Sequence, residues 1–189
     1  MVSTSRHLQQ TKQRLWLNVG VTVISVLFCL LILPVRLPGM ELLGIAPNWL
    51  LIWVVAWSVK RDPFEGAIAG LVLGLLQDGM TAPLPTHSAG LILTGILTAR
   101  LQKQRYIQED FVSVALITFG MAVISETAMA MQVSLQMMIE SRQILPSLSG
   151  VWLYHQRVAL SSAIISSLWA PVLYYPLNRW WEKQGIVED

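Results

Sequence analysis

Residues 66–78 read GAIAGLVLGLLQD, an apolar run in which every fourth position is a glycine or an acid. Since residues four apart lie on one face of a helix, Gly66, Gly70 and Gly74 form a smooth groove that ends at the carboxylate of Asp78. In water each of these interior glycines would cost roughly 1 kcal/mol relative to alanine, whereas in lipid such a stripe lets a second helix backbone approach closely. The run therefore predicts helix packing inside a membrane. We favour a helix of this chain as the occupant of the groove over a helix of a partner.

The composition of the whole chain fits a membrane setting. Of its 189 residues, 54% are hydrophobic and 13% are charged, and soluble domains contain about 25% charged residues. The mean hydropathy is +0.55. The formal net charge of +2 is too small to indicate a nucleic-acid partner, and no basic patch with interleaved aromatic residues occurs. The length predicts one membrane domain over residues 1–189.

Six apolar segments have the character of membrane-crossing helices, which need roughly 17–25 residues. The first is too long for the apolar region of a signal peptide and lacks a convincing cleavage site, so we expect it to be retained. The fourth is weak because Arg100 cuts it short, and the fifth is overlong. The sequence thus predicts an all-α polytopic membrane protein with six transmembrane helices in one bundle, at residues 15–34, 43–59, 63–80, 86–101, 111–139 and 151–177.

The basic residues predict which side of the membrane each loop occupies. With the N-terminus inside, the outer loops contain only Arg36 and Arg142, and Arg157 lies within the sixth span. The other ten of the 13 lysines and arginines fall in inner segments, as the positive-inside rule requires. We therefore predict a multi-pass protein with cytoplasmic tails at residues 1–14 and 178–189.

The residues DPFE at positions 62–65 indicate where the striped helix begins. They supply an acidic N-cap at Asp62, a proline at the first helical position and a glutamate at the third. Beyond Asp78, Pro83 and Pro85 prevent the helix from continuing through the outer loop. The striped helix is thus predicted to start at the cytoplasmic face and to end near the outer face.

Three tryptophans at helical spacing lie on the second span, at Trp49, Trp53 and Trp57. Because residues four apart share a helix face, the three indoles form one stripe. Such a stripe serves either bulky packing and lipid contact or stacking on a ligand, and we favour the first.

Three charged residues within the predicted spans are candidates for a functional or structural cluster, because buried charges in membranes are costly. At a rise of about 1.5 Å per residue, Asp78 and Glu126 each lie about 22 Å from the cytoplasmic side. Arg157 lies about 9 Å in from the outside, at nearly the same level. We therefore predict that Arg157 pairs with Glu126, Asp78 or both, and we favour this ion pair over a polar pocket for a small solute with His87 or His155 at its rim.

The sequence contains no catalytic signature. A Gly-x-Ser-x-Gly elbow, a Walker loop, a His-Glu-x-x-His pair and a Cys/His metal cluster are all missing from it. A metal site built from His87, His155, Asp78 and Glu126 is geometrically conceivable, but histidines near a membrane surface are more often ordinary polar residues. We expect no enzyme activity, no cofactor and no bound metal.

The motifs resemble those of the rod-shape-determining MreD family. The resemblance rests on the run PNWLLIWVVAW from Pro47, on the basic turn at Arg61, on the glycine stripe ending in Asp78, and on the glycine-containing helix around Gly90. It covers residues 45–98 by motif and the whole chain by size and number of spans. One departure is Asn48, where the family often has an acidic residue.

The resemblance implies a non-enzymatic subunit of the bacterial elongation machinery, which controls cell shape and organises peptidoglycan synthesis from the cytoplasmic (inner) membrane. Its implied partners are an MreC-like single-span protein, the wall-synthesising RodA and penicillin-binding protein pair, an indirect link to MreB filaments, and membrane lipid. The implied six-helix fold is similar to the substrate-binding subunits of energy-coupling-factor transporters. By this resemblance Gly66, Gly70, Gly74 and Asp78 are helix-packing residues.

That relation to transporters supplies the main alternative function, a substrate-binding subunit of a vitamin-type transporter. Such a subunit needs an outward pocket, and it needs a small-residue surface, usually on the first helix, for docking its energising partner. The first span has no alanine and only Gly20 and Ser25 as small residues, which argues against that docking. A small proton-coupled carrier that uses the buried carboxylates as relays is the third alternative.

Overall fold

Six α-helices make up the secondary structure in the computed structural model, which describes residues 2–35, 39–81, 85–103, 110–140 and 148–183. Within these ranges the only β feature is an isolated bridge between Leu42 and Ile45. The predicted all-helical architecture is confirmed, and each predicted span overlaps one helix. The helices are α1 (Val2–Ile32), α2 (Trp49–Ser58), α3 (Pro63–Met80), α4 (His87–Lys103), α5 (Phe111–Glu140) and α6 (Leu148–Lys183).

Three of these helices are long and apolar enough to cross a membrane by length and composition: Arg14–Ile32 in α1, Phe111–Ile139 in α5 and Ser149–Lys183 in α6. At about 1.5 Å per residue, the ten-residue helix α2 is only about 15 Å long, roughly half of the hydrocarbon core. The chain is therefore a helical protein with membrane-spanning character, and the crossing of the bilayer by α2, α3 and α4 stays a prediction.

The second span is shorter as a helix than the sequence predicted, because residues 43–48 are not helical. Leu42 and Ile45 close a tight turn through hydrogen bonds of 2.9 and 3.0 Å between their backbones. Leu43 and Gly44 occupy this turn at φ values of 54° and 79°. The helix begins only after Asn48, whose side-chain oxygen caps it by accepting a hydrogen bond from the Leu51 N–H at 3.0 Å.

The start of α3 lies where the sequence places it, but its capping differs. Pro63 is the first helical residue, and the Gly66 N–H donates to the Asp62 carbonyl at 3.0 Å. The Asp62 side chain makes no capping hydrogen bond to the helix, and Glu65 pairs with Arg61 at 3.1 Å. A proline at the first turn fixes φ without removing a needed donor, which accounts for the correct boundary.

The core is organised around α2, which packs against each of the other five helices. Its residues Leu50, Leu51, Ile52, Val54 and Val55 are buried on all sides of the helix. A helix that is apolar all round its circumference has no face to offer to solvent, so it becomes the centre of a bundle. The helix pairs α3–α4 and α5–α6 pack around it, and α1 lies at the edge, in contact mainly with α2.

Candidate functional site

The glycine groove of α3 is filled by α4. A Cβ atom added to Gly70 would overlap the backbone of Leu91, and one added to Gly74 would overlap the backbone of Ser88. At Gly66 the added atom would overlap the backbone of Gly95, and a Cβ on Gly95 would in turn overlap Gly66. We call this contact the α3–α4 seam; its members are Gly66, Gly70, Gly74, Ser88, Leu91 and Gly95. The occupant of the groove is therefore a helix of the same chain.

The next glycine along α4 extends the close packing to α5. A Cβ atom on Gly90 would meet the side chain and backbone of Ser125. The buried Thr94 hydroxyl, one turn further along α4, donates to the Gly90 carbonyl at 2.9 Å, so this polar group is satisfied within the helix. Gly90 thus allows α4 to lie between α3 and α5 without a gap.

Asp78, at the end of the stripe, caps the N-terminus of α4. Its carboxylate accepts hydrogen bonds from the His87 N–H at 2.7 Å, from the Ser88 hydroxyl at 2.9 Å and from the Thr86 hydroxyl. The Nδ1 atom of His87 lies 2.8 Å from the same carboxylate. Free N–H groups and the positive end of the helix dipole both favour an anion at this position. The acid that ends α3 therefore also fixes where α4 begins.

A side chain of α5 holds the same corner from the other side. The Gln132 amide accepts a hydrogen bond from the Thr86 N–H and donates one to the Thr86 carbonyl, both at 3.1 Å. Thr86 is thereby bound through its hydroxyl by Asp78 and through its backbone by Gln132. We call the group Asp78, Thr86, His87, Ser88 and Gln132 the Asp78 clamp.

Sequence reasoning missed three members of the Asp78 clamp, Thr86, Ser88 and Gln132. Threonine directly before a helix is a preferred capping residue, so the start of α4 carried a signal for Thr86. The residues around Gln132 do not predict that it binds Thr86, because Thr86 lies 46 residues away in the sequence.

The predicted cluster of Asp78, Glu126 and Arg157 is not formed. Glu126 instead faces His155, with 3.6 Å between the carboxylate and Nδ1, and both side chains are mostly buried. Arg157 is exposed and, within the described part of the chain, pairs with neither acid. The contact of Glu126 with His155 joins α5 and α6, but residues two apart point about 200° apart around a helix. With His155 facing α5, Arg157 faces away.

The two histidines therefore belong to different groups, His87 to the Asp78 clamp and His155 to Glu126. In the described ranges no three residues among His, Cys, Asp and Glu approach closely enough to hold a metal ion.

The tryptophan stripe of α2 packs on α6. Trp53 and Trp57 are stacked at a centroid distance of 5.2 Å, and Trp181 meets them edge-on at 6.3 and 5.2 Å. Trp49 contacts Trp169 at 5.7 Å. These contacts favour the interpretation of the stripe as packing.

Arg61 completes this aromatic group at the α2–α3 turn. Its guanidinium carbon lies 3.6 Å from the centroid of the Trp57 ring, within the range of a cation–π contact. One nitrogen, Nη1, donates to Glu65 at 3.1 Å. The neighbouring Lys60 pairs with Glu182 of α6 at 2.6 Å. The basic turn predicted from the sequence therefore ties α2, α3 and α6 together.

A family model described as rod shape-determining protein MreD matches residues 14–179 of the chain. The chain belongs to the MreD family. No curated protein and no solved structure matches it. The matched range covers most of α1 and α6 and all of the helices between them, so the resemblance read from the motifs is confirmed over nearly the whole protein.

Membership makes the chain a membrane protein of the rod-shape-determination system. In this family member each motif residue has a packing or bracing position: Arg61 braces the α2–α3 turn, the glycines form the α3–α4 seam, and Asp78 caps α4. Pro47 is buried directly before the capped start of α2. The motif thus describes how the helices are held together.

Proposed function

We propose that this MreD-family protein is a non-enzymatic scaffold subunit of the bacterial elongation complex in the cytoplasmic membrane. In this role it would organise peptidoglycan synthesis and cell shape together with an MreC-like single-span protein. The observation that carries the proposal is the family match over residues 14–179. The bilayer topology that goes with it is six spans with both termini in the cytoplasm.

The internal contacts support a scaffold, because a scaffold must hold partner-binding surfaces in a fixed arrangement. The α3–α4 seam brings two backbones into direct contact, and the Asp78 clamp joins that pair to α5. Closely packed backbones leave little room for the sliding that a carrier cycle requires. The motif residues are thus occupied in maintaining one arrangement of helices.

The outer faces of the bundle support partner binding within the bilayer. Large apolar side chains remain exposed on α1 and α5, including Trp16, Ile24 and Leu31 on α1 and Met138 and Ile139 on α5. In a membrane such faces contact lipid or the helix of another protein. The proposed partners are the MreC-like protein first, the RodA and penicillin-binding protein pair next, and MreB filaments indirectly through the complex.

Crosslinking followed by copurification from native membranes tests this role. We expect an MreC-like coiled-coil protein with a single span to be recovered with the tagged chain, and we expect loss of the gene to turn rod-shaped cells round. Recovery of an ATPase module instead would assign the chain to transport. Another small multi-pass membrane protein with the same tag, expressed to the same level, controls for recovery that depends only on membrane residence.

A proton-coupled carrier is the second candidate, and the contact of Glu126 with His155 is the observation that favours it. Paired ionisable groups inside a membrane bundle are the usual elements of proton relays. A pH gradient imposed on proteoliposomes tests it: a carrier dissipates the gradient, and the Glu126→Gln variant abolishes that flux. The scaffold proposal expects equal proton leak with wild type, with Glu126→Gln and with empty liposomes.

The vitamin-type transporter predicted as an alternative has less support. Its expected outward pocket would lie between Asp78, Glu126 and Arg157, and these residues have separate surroundings. Tight, stoichiometric copurification of a vitamin would reverse this preference.

A further inference from the structure

An open apolar groove of about 600 Å³ lies between α1, α2 and α3. Its floor includes Trp53 and Trp57 of α2. Trp53 is fixed there because its indole N–H donates to the Ser25 hydroxyl of α1 at 2.9 Å. The two walls are aliphatic and include Val23, Val26 and Leu27 of α1 and Ile68, Val72 and Leu76 of α3.

One end of this groove is polar. Arg61 and Glu65 line it there, and Thr22 lines it from α1. The Nη2 atom of Arg61 and the hydroxyl oxygen of Thr22 are both buried and have no hydrogen-bond partner within the described chain. Arg61 is held in this orientation because Nη1 is bound to Glu65 and the guanidinium lies over Trp57.

Unpartnered buried polar atoms are concentrated at this end of the bundle. Native proteins satisfy nearly all buried donors, so a local concentration of unsatisfied ones indicates a missing partner. Among the described residues, such atoms belong to Ser58 and Arg61 at the α2–α3 turn, to Trp180 and Trp181 near the end of α6, and to Asn18 and Thr22 in the middle of α1.

We propose that this groove binds one anionic phospholipid, with an acyl chain along the walls of α1 and α3 and the phosphate at Arg61. The phosphate oxygens accept from the Nη2 group of Arg61, and the Thr22 hydroxyl donates to an oxygen of the glycerol esters. Guanidinium binds phosphate strongly because its donors are charged and planar.

Size and charge favour a lipid over a protein helix as the occupant. At about 30 Å³ for a water-sized group, the groove holds on the order of twenty methylene-sized groups, the content of one acyl chain. A helix with side chains is about 10–12 Å wide and would need a carboxylate at the level of Arg61 to supply an anion there, whereas every phospholipid carries a phosphate at its headgroup. Lys60 lies next to Arg61 at the α2–α3 turn, and its ion pair with Glu182 brings the end of α6 with Arg179 and Lys183 to the same region. Clusters of basic residues at a membrane surface attract anionic lipids.

Native mass spectrometry of the full chain in equal amounts of phosphatidylglycerol and phosphatidylethanolamine tests the proposal. We expect wild type to retain one phosphatidylglycerol, and Arg61→Gln to weaken that retention by about tenfold, the effect of losing one charge-assisted hydrogen bond. Arg179→Gln is the matched control, because Arg179 is exposed at the same end and does not line the groove. Equal loss in both variants would show general attraction of anionic lipid and would overturn the site.

A second variant separates lipid binding from the structural role of Arg61. Ala69 lines the groove, so Ala69→Phe fills the space of the acyl chain while Arg61 stays in place. We expect this variant to elute as a folded, monodisperse species and to lose the bound lipid. Retention of phosphatidylglycerol in both Ala69→Phe and Arg61→Gln would refute the proposal.

Crosslinking in membranes distinguishes the possible occupants. Ile68 lines the groove and is 46% exposed, so a photoreactive amino acid at this position reports what lies there. A lipid-sized adduct supports the proposal, and an adduct with a protein would assign the groove to a partner helix instead. Excess inorganic phosphate should leave the bound lipid in place; displacement by phosphate alone would reduce the site to an ion site. None of these results depends on the elongation role.

Discussion

The α3–α4 seam and the outer face of α1 are both built from apolar helices, but the first is closed and the second is open. Gly66, Gly70 and Gly74 meet the α4 backbone directly, whereas Gly20 of α1 has no neighbouring atom within 4 Å of an added Cβ. Large side chains surround that isolated glycine, with Trp16 and Ile24 73% and 67% exposed. Hydrophobicity alone therefore does not bring two helices together inside a membrane. A row of small residues does, because it permits backbone contact.

The difference also separates two kinds of function. The seam residues are buried between α3 and α4 and hold the bundle together. The apolar surface of α1 stays available for lipid or another helix. The proposed scaffold role needs both a rigid part and a surface that a partner can cover. Substitutions that fill the seam should remove this difference.

Gly70→Leu should have the largest effect, because the added side chain has to enter the Leu91 backbone. We expect it to destabilise the protein by at least about 3 kcal/mol, the upper range for overpacking. Monodisperse yield and the thermal unfolding midpoint in detergent measure the effect. Gly79→Leu, in the same helix with open space around it, is the matched control and should behave like wild type.

The same pair of variants shows whether α4 or the helix of a partner protein occupies the glycine groove of α3. If Gly70→Leu gives a folded monomer that no longer enters the complex, the groove belongs to a partner and the seam is wrong. Gly20→Leu extends the comparison to α1, where we expect an unchanged midpoint.

Asp78→Ala should produce the next largest effect, since the carboxylate satisfies several donors at the start of α4. Loss of a cap and of charged hydrogen bonds costs about 2 kcal/mol. Hydrogen exchange should accelerate in the first turn of α4 and stay unchanged in α2. The exposed acid Glu65 in the same helix provides the control: Glu65→Gln removes one exposed ion pair with Arg61 and should cost less than about 1 kcal/mol. Equal effects of the two variants would show that Asp78 is not a clamp residue.

Gln132→Ala should weaken the same corner from α5. It removes two hydrogen bonds to Thr86, worth about 1–2 kcal/mol together. Because Asp78 and Gln132 act on one residue, the double variant should be less destabilised than the sum of the two single variants, by about 0.5 kcal/mol or more. Met131→Ala, at an exposed neighbouring position, is the control. Strict additivity would mean that the two side chains act independently.

The α3 side of the seam could be predicted from the sequence, because it depends on the spacing of glycines within one helix. The glycine stripe and the Pro63 signal predicted the face and the start of α3, and the structure has both. The seam partner on α4 was not marked in the same way, since Ser88 and Leu91 carry no motif. Which helix fills a groove depends on how the chain folds back, and spacing within one helix does not encode it.

The polar contacts were harder to predict, for a geometric reason. Depth along a helix follows from residue counting, but the direction of a side chain depends on rotation and on the neighbour it meets. Asp78 binds Thr86 and His87, which lie only eight and nine residues further along the chain, and not the distant Arg157. Asn48 departs from the family pattern by lacking a charge, but its side chain caps α2, and its backbone N–H donates a hydrogen bond to the hydroxyl of Ser166 in α6 at 2.9 Å.

Arg157→Gln should have the smallest effect of all, because Arg157 lies on the open side of α6. We expect a change in unfolding free energy within about 0.5 kcal/mol. His155→Ala, two residues earlier and facing Glu126, should cost more, since it leaves a buried carboxylate without its neighbour. The charge-swapped double variant Arg157→Glu with Glu126→Arg should be no better tolerated than Glu126→Arg alone. Rescue in that double variant would support the predicted ion pair between Arg157 and Glu126. It would place Arg157 inside the bundle and not on its exposed surface.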